Sequence, residues 1–454
     1  MTAFDLEAAS VRGDRPEELA RIPESGYPSV VPPPPKARWL ARRSSALREH
    51  PGAVLVALLL FALVARLIWL WWPQDAVIFD ESYYVNAARV MLGRDLAPGS
   101  PYEGSTPGLD PNSPHPPLGK ALMALSIGAL GDGGIGWRAP SVIAGMVALL
   151  ALYGIVRAAG ESAWLAILAV GLFAFDNLAL VHARIGTLDM MFLAPILFGA
   201  WLAIRSRWLL AGVACAIGTL VKLTGVFGLL AILILQFVTL ADVWRRNGRI
   251  GLADLRPTGL LVSAYLAVAI GGLWLLDLSF SSYRDPWSHL QHILAVGASI
   301  QTVGGPQGIA SDPWQWLVND VQINYMRVAV DTTVNGVVVA SRASIDFRGA
   351  MNPVLIGAAP MAFGFAVWLA WRRGSRLAAW CIAWAGANYL PYYALVLLGH
   401  RVTYLYYFLP VVPALAVAVA LLLVRARLPG TVQLVYLAAI GWAFLAYFPF
   451  RQLP

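Results

Sequence analysis

From residue 53 to residue 449 the chain repeats one pattern, runs of about twenty apolar residues separated by short connections that carry arginine. A helix needs about 20 apolar residues to cross the hydrocarbon core of a bilayer. Inside that core every backbone N–H and C=O must be bonded within the protein, which leaves helices or closed barrels as the spanning forms, and runs of this length and composition are helical. The pattern predicts an all-α polytopic membrane protein. It excludes a soluble globular enzyme, because 59% of the 454 residues are hydrophobic and only 13% are charged, against about 25% charged in soluble domains.

The runs place about eleven spans, at 53–72, 137–156, 161–178, 185–203, 208–221, 223–243, 257–279, 353–371, 377–397, 402–424 and 431–449. Alternate connections then carry Arg157; Arg205 and Arg207; Arg245, Arg246, Arg249 and Arg256; Arg372, Arg373 and Arg376; and Arg425 with Arg427. All of these fall on the side of the basic N-terminal run Lys36–Arg48, as the positive-inside rule requires of cytoplasmic loops. The net charge of +8 is accounted for in this way, and no nucleic-acid partner is expected. For the parity to hold, the short apolar segment 116–131, which opens Pro116-Pro117, lies in the outer loop or at the interface without crossing.

Four regions follow. Residues 1–50, polar and Pro-rich, read as a disordered cytoplasmic tail, and the first apolar run is too long for a signal peptide, so it is a retained span. Residues 51–279 form an N-terminal transmembrane module that includes an outer loop at 73–136, residues 280–352 a second outer loop, and residues 353–454 a C-terminal transmembrane module. Cys215 and Cys381 both lie in apolar stretches, which argues against a disulfide framework. Only three lysines occur, Lys36, Lys120 and Lys222, and the arginine bias points to a GC-rich bacterial genome.

The same parity gathers the unusual polar residues at the outer face: Asp80-Glu81, His115, Lys120, Arg138, Asp176, His182, Arg184, Lys222 and His400-Arg401. A charge at membrane depth costs about 2.5–3.5 kcal/mol on insertion scales, so such groups face a cavity or a partner. Asp80 reads either as the cap of a short helix from Glu81 onward or as one of two carboxylates placed to take a proton from a hydroxyl. Lys120 either snorkels or meets a phosphate or carboxylate, and Arg138 and Arg66 have interfacial snorkelling as the plain account. Asp189 is expected to pair with Arg184 at nearly helical spacing, and Lys222 to meet a phosphate. Trp287, Trp314, Trp316, Tyr283 and Tyr325 read as an interfacial aromatic belt. His289 and His292 lack a third ligand at zinc spacing, and no Walker-A, Rossmann or nucleophile-elbow string occurs.

Taken in order, Ile78-Phe-Asp-Glu-Ser-Tyr-Tyr84, His115-Pro-Pro-Leu-Gly-Lys120, Gly136-Trp-Arg-Ala-Pro-Ser141, Phe175–Arg184 with Leu188-Asp189, and Val221-Lys-Leu-Thr-Gly225 resemble motifs of the protein O-mannosyltransferases. Ser311–Trp316, Met351-Asn-Pro353 and Arg401–Pro410 resemble the family's later signatures. The resemblance implies a GT-C glycosyltransferase that transfers mannose, with inversion, from a polyprenyl-phosphate-mannose lipid donor to Ser or Thr hydroxyls of secreted or membrane proteins on the extracytoplasmic face. It implies Asp80 as base with Glu81 beside it, and Arg138 and Lys222 as partners of the donor phosphate. Arg184 and Arg401 are further phosphate-binding candidates, and His115, Lys120, Asp176, His182 and Tyr407 shape the site. The chain departs from the family at Tyr406-Tyr407-Phe408, where Tyr-His-Tyr is common, leaving His400 or Tyr407 as substitutes. The 280–352 loop is also too short for the lectin-like insert of eukaryotic members, so the bacterial form is expected.

No cofactor is required by this chemistry, since a phosphate leaves readily and two cations can hold it, although the Asp-Glu pair is compatible with a divalent metal. The expected location is the bacterial plasma membrane with the N-terminus cytoplasmic, and the expected partners are the lipid donor, membrane lipids and acceptor proteins emerging from the secretion machinery. Two other readings share many features: a lipid-carrier transferase acting on a glycan or lipid, similar to the aminoarabinose transferases, and a lipid-linked-sugar flippase. The flippase reading predicts a midplane site between repeated halves, and no internal repeat is seen.

Overall fold

The computed structural model describes residues 49–449 except 74–75 and 303–304, and omits the side chains of 342–344. The tail expected at 1–50 lies almost wholly outside the described residues. The chain from Pro51 onward is built of helices: α1 (Pro51–Leu67), α2 (Glu81–Met91), α3 (Leu118–Leu130), α4 (Gly134–Ala158), α5 (Ala163–Ala174), α6 (Asn177–His182), α7 (Leu188–Ile204), α8 (Trp208–Val221), α9 (Val226–Asn247), α10 (Leu252–Phe280), α11 (Pro286–Ser299) and α12 (Pro313–Trp316). A hairpin, β1 (Ile323–Val334) and β2 (Val337–Gly349), follows, and then α13 (Pro353–Gly357), α14 (Ala359–Arg373), α15 (Arg376–Gly399), α16 (Val412–Arg425) and α17 (Gly430–Ala446).

Among the described residues five helical stretches are long and apolar enough to cross a membrane: 134–158, 223–247, 252–280, 376–399 and 405–425. Six shorter apolar helices of 10–17 residues lie at α1, α3, α5, α7, α8 and α17. The protein is a multi-pass membrane protein. At 13 residues and about 1.5 Å per residue, α3 is shorter than the roughly 30 Å hydrocarbon core.

The helix ends follow the sequence. Ser162 and Ser375 accept N–H groups of Leu165 and Ala378 as N-caps, and Gly248 and Gly374 in the left-handed region close α9 and α14. At Gly212 a Cβ would run into the carbonyl oxygen of Leu261, so α8 and α10 approach at a backbone distance that only glycine permits. Trp137, Trp316, Trp380 and Trp384 fill the interior.

The loop 280–352 departs from the all-α expectation. Val334-Asn335-Gly336-Val337 turns with φ of 52° at Asn335 and 79° at Gly336, the signature of a two-residue type I′ hairpin. The strands pair antiparallel from Ile323↔Gly349 to Val334↔Val337, with irregularities after Asn324, Val328 and Thr332. Val and Thr make up most of the stretch Val328–Val339 outside its turn, which suits strand over helix.

Candidate active site

Each polar residue predicted at the outer face has an observed position, and they divide into two groups. The first is structural. Arg138, in the first turns of α4, donates all five N–H groups: to both oxygens of Glu81 at 2.8 and 2.9 Å, and to the carbonyls of Leu70, Trp72 and Ala76. Glu81 is fully buried and also accepts the backbone N–H of Ile78 and of Gly186, each at 2.7 Å. Arg138 therefore neither snorkels nor keeps a donor for a phosphate. The pair pins the turn that carries Asp80, and Glu81 works as its support.

Lys120 is likewise spent. It meets Asp110 at 2.5 Å and donates to the carbonyls of Asn112 and His115, so its carboxylate partner is internal and its role is to fold the 110–115 loop. Arg184 is buried and donates to the carbonyls of Ala65 and Ile68 at the end of α1. Arg66 is fully buried beside Ala62 rather than snorkelling. Asp176 caps α6 through Ala179 and accepts the N–H of Asn352, tying α6 to the end of the 280–352 segment. His289 pairs with Asp277 at 2.7 Å and with the carbonyl of Ser113, and His292 meets the Ser113 hydroxyl, so these histidines join the segments 73–136 and 280–352.

The second group converges. Asp80 stands before α2, but its carboxylate makes no cap hydrogen bond, which removes the capping reading. Among the described residues it has no hydrogen-bond or ion-pair partner at all. Burial and the charge of Asp189 push its pKa up to about 6, while Lys222 pulls the other way. Lys222 sits where α8 ends, in extended conformation before the 3-10 turn Leu223–Gly225. At Gly225 a Cβ would meet Gly218 C at 2.5 Å, so this turn folds back on α8 only with glycine. The ammonium bonds Asp189 at 2.7 Å and lies 5.4 and 5.5 Å over the rings of Tyr406 and Tyr407. Asp189 thus pairs with Lys222, and not with Arg184 as helical spacing suggested.

His182 completes the ring. Its Nδ1 lies 3.6 Å from Asp189 and its Nε2 2.7 Å from the Tyr325 hydroxyl. Tyr325 in turn stacks on Phe79, the neighbour of Asp80, at 4.4 Å. Tyr325 and Trp316 are buried, so they leave the expected aromatic belt, whereas Trp287 and Trp314 remain exposed. Tyr407 stacks on Tyr392 and stands edge-on to Tyr406; His400 ends α15 and is exposed. His115 lies 5.9 Å from Tyr84, and burial together with Lys222, Lys120 and Arg401 holds its imidazole neutral, well below the usual histidine range. Arg401 is half-buried, and its guanidinium has no hydrogen-bond or ion-pair partner among the described residues. The arrangement is an uncommitted carboxylate in the field of Lys222, which Asp189 anchors under Tyr406 and Tyr407, while Arg401 acts on His115 and Tyr404 beside it. Sequence reasoning missed Asp189, Tyr325 and Tyr406 as members of it.

Residues 114–270 match the family profile described as dolichyl-phosphate-mannose-protein mannosyltransferase. This is the family that the motifs resemble. The match takes in His115, Lys120, Arg138, Asp176, His182, Arg184, Asp189 and Lys222. The polyprenol-phosphate-mannose–protein mannosyltransferase of Corynebacterium glutamicum is 31% identical over 181 residues, 39% of this chain and 33% of that protein. The enzyme of the same description from Mycobacterium tuberculosis is 30% identical over 214 residues, 46% of this chain and 38% of the relative. The chain therefore spans about a third of the length of the curated relatives it matches.

Among solved structures, the Saccharomyces cerevisiae protein O-mannosyltransferase Pmt1-Pmt2 complex bound to the sugar donor superposes with a TM-score of 0.67 at 12% identity, covering 88% of this chain and 90% of that one. ArnT from Cupriavidus metallidurans in the apo state gives 0.54 at 19% identity, covering 84% and 61%. The fold is the GT-C glycosyltransferase fold.

Proposed function

We propose that the protein transfers mannose from a polyprenyl-phosphate-mannose donor to Ser or Thr hydroxyls of protein acceptors at the extracytoplasmic face of a bacterial plasma membrane. The observation that carries this reading is Asp80: a carboxylate without a hydrogen-bond partner among the described residues, raised to about 6 by burial and Asp189 and within the field of Lys222. The likeness to polyprenol-phosphate-mannose–protein mannosyltransferases supports the choice of donor and acceptor. The arginine-bearing connections support a cytoplasmic N-terminus and an outward site.

The acceptor oxygen attacks the anomeric carbon in line as the bond to the phosphate oxygen breaks. Asp80 takes the hydroxyl proton, and polyprenyl phosphate leaves with the bonding electrons, so the configuration inverts. Lys222, its ammonium oriented by Asp189, has two further N–H groups to offer a phosphate oxygen, and Arg401 offers a planar set. Both act in a site shielded by Tyr406 and Tyr407, where fixed charges are worth more than in water. Glu81 and Arg138 hold the Asp80 turn in place. Because the leaving phosphate is already ionised and Lys222 and Arg401 are proposed to hold it, the reaction as proposed needs no resident cofactor.

The test is transfer of radiolabelled mannose from polyprenyl-phosphate-mannose to a Ser/Thr-rich peptide by the detergent-purified protein, beside Asp80→Asn. Peptide label that vanishes in the variant supports the reading. Label appearing only on a glycan or lipid acceptor overturns the acceptor assignment, and no donor turnover with any acceptor overturns the transferase reading.

A further inference from the structure

The loop that precedes His115 holds one strained residue. Tyr102 has φ of 71°, in the left-handed region where a bulky side chain is out of place and glycine is the ordinary occupant. Between residues 99 and 108 the other left-handed positions are glycines, Gly99, Gly104 and Gly108, so a tyrosine at 102 calls for a reason in its side chain. Backbone strain of this kind persists only where the surroundings over-determine it, and it gathers at ligand clamps. The surroundings here are tied at several points. The Ser105 N–H donates to the Tyr102 carbonyl, the Gly108 N–H to that of Val90 and the Asp110 N–H to that of Phe280.

The side chain ends in a hydroxyl whose proton has a set direction. Asn112 Nδ2 donates to the Tyr102 oxygen at 2.7 Å. The amide takes this orientation because its Oδ1 faces the Lys120 ammonium at 3.4 Å, and an ammonium has no lone pair to accept an amide N–H. Lys120 is itself fixed by Asp110 and by the carbonyls of Asn112 and His115. The phenol oxygen is therefore the acceptor in its bond to the protein, and its own O–H remains to be given: among the described residues Tyr102 makes no other side-chain hydrogen bond. Burial, with the charges of Asp110, Tyr83 and Asp80 and against the Asn112 bond, holds this phenol above its ordinary value, so the proton stays on. Tyr83, whose N–H bonds the Asp80 carbonyl one turn back, is exposed on α2, and its ring meets that of Tyr102 edge-on at 6.2 Å. An available O–H donor and an exposed ring thus stand together at the rim beside Asp80.

We infer that Tyr102 binds the acceptor polypeptide, its O–H donating to a main-chain carbonyl next to the Ser or Thr whose hydroxyl meets Asp80, with the chain seated on the ring of Tyr83. This rests on the transferase reading and names how its protein substrate is held. The carbonyls on either side of a Ser or Thr stand only a few bonds from its hydroxyl, so an acceptor that reaches Asp80 brings one to the rim. A rigid ring with a polar tip gives contact area and one directed hydrogen bond at little cost in side-chain entropy. The bond is to the main chain, so it selects for a polypeptide over a polyol and is indifferent to the neighbouring side chains. It also gives Lys120 a second consequence: by turning the Asn112 amide, the buried ammonium leaves the Tyr102 proton for the substrate.

The experiment uses the full-length detergent-purified protein and a fluorescent ten-residue peptide with a single threonine, beside analogues in which one carbonyl oxygen near the threonine is replaced by sulfur, a poorer acceptor. Binding is read by anisotropy without donor, and transfer by labelled mannose. Tyr102→Phe removes the O–H and should weaken peptide binding and raise the acceptor KM about five- to tenfold, with the donor KM unchanged. Asn112→Asp keeps the tyrosine but replaces the amide donor by a carboxylate, which still meets Lys120 and now accepts the Tyr102 proton. It should therefore reproduce the Tyr102→Phe loss at an unchanged melting temperature, which a merely structural tyrosine would not do. In the wild type one sulfur position should weaken binding by about the same factor, and in Tyr102→Phe that position should lose its effect. Equal binding of all the sulfur analogues by the wild type, or a sulfur effect that persists undiminished in Tyr102→Phe, overturns the inference while labelled peptide leaves the transferase reading intact. The expected binding pattern without transfer to any hydroxyl keeps Tyr102 as the peptide ligand and overturns the transferase.

Discussion

Glu81 and Arg138 form a two-point ion pair, with Nε on Oε1 at 2.8 Å and Nη2 on Oε2 at 2.9 Å, and both side chains are almost wholly buried. Breaking a buried pair by removing one partner leaves the other charge uncompensated, at a cost of about 3–5 kcal/mol. Glu81→Ala should therefore lower the thermal midpoint of the detergent-solubilised protein and abolish transfer together. A variant that keeps its melting temperature but loses turnover would show Glu81 acting on substrate instead.

Asp80 gives the opposite signature. Its carboxyl is raised to about 6, so the folded protein binds the proton more tightly than the unfolded chain does. Ionising it costs stability as pH rises through the window between the ordinary carboxylate value near 4 and 6. Asp80→Asn removes that cost, and at pH 7.5 it should melt no lower than the wild type while kcat falls by about 100-fold or more. Near-normal turnover in the variant would remove Asp80 as base.

The same shift sets a pH dependence. A base must be ionised to act, so kcat/KM should be on its plateau above pH 7, half-maximal near 6 and falling about tenfold per unit below 5. A plateau that extends to pH 4.5 would place the titrating group elsewhere.

Lys222 and Arg401 should separate by their neighbours. Among the described residues the Arg401 guanidinium has no partner to leave unpaired, and charged hydrogen bonds are worth about 1.5–3 kcal/mol. Arg401→Ala should raise the donor KM about 10- to 100-fold with the melting temperature unchanged. Lys222→Ala strands Asp189 as well, so it should lose stability and kcat together. An Arg401→Ala enzyme with normal donor KM would exclude it from the phosphate site.

How much of this was legible in the sequence varies by residue. Asp80 and Lys222 stood out because a charge in an apolar chain is costly and lysine is rare here. Arg138 was equally visible but its use was not, since its partner lies 57 positions away and only the fold shows that each of its donors is taken. Asp189 was assigned by spacing to Arg184, and the broken backbone at Gly186–Thr187 defeats helical spacing. The Asn335-Gly336 pair between β-branched residues is a strong hairpin signal, but counting apolar runs treats the whole of 280–352 as one outer loop. Tyr325 therefore read as an interfacial aromatic, although the hairpin carries it into the site.

That placement makes the last prediction. The 2.7 Å bond between the Tyr325 hydroxyl and His182 Nε2 joins the 280–352 segment to the ion pair of Asp189 and Lys222, so ordering of the hairpin base and of Lys222 should be one event. Tyr325→Phe keeps the stacking on Phe79 and removes only the hydroxyl, and should cost about 1 kcal/mol, near fivefold in kcat/KM. His182→Ala breaks the same bond from the other end. If the bond is the link, the double variant should be little worse than His182→Ala alone, whereas independent contributions would multiply. Full additivity in that cycle would show the loop and the cations to be set separately.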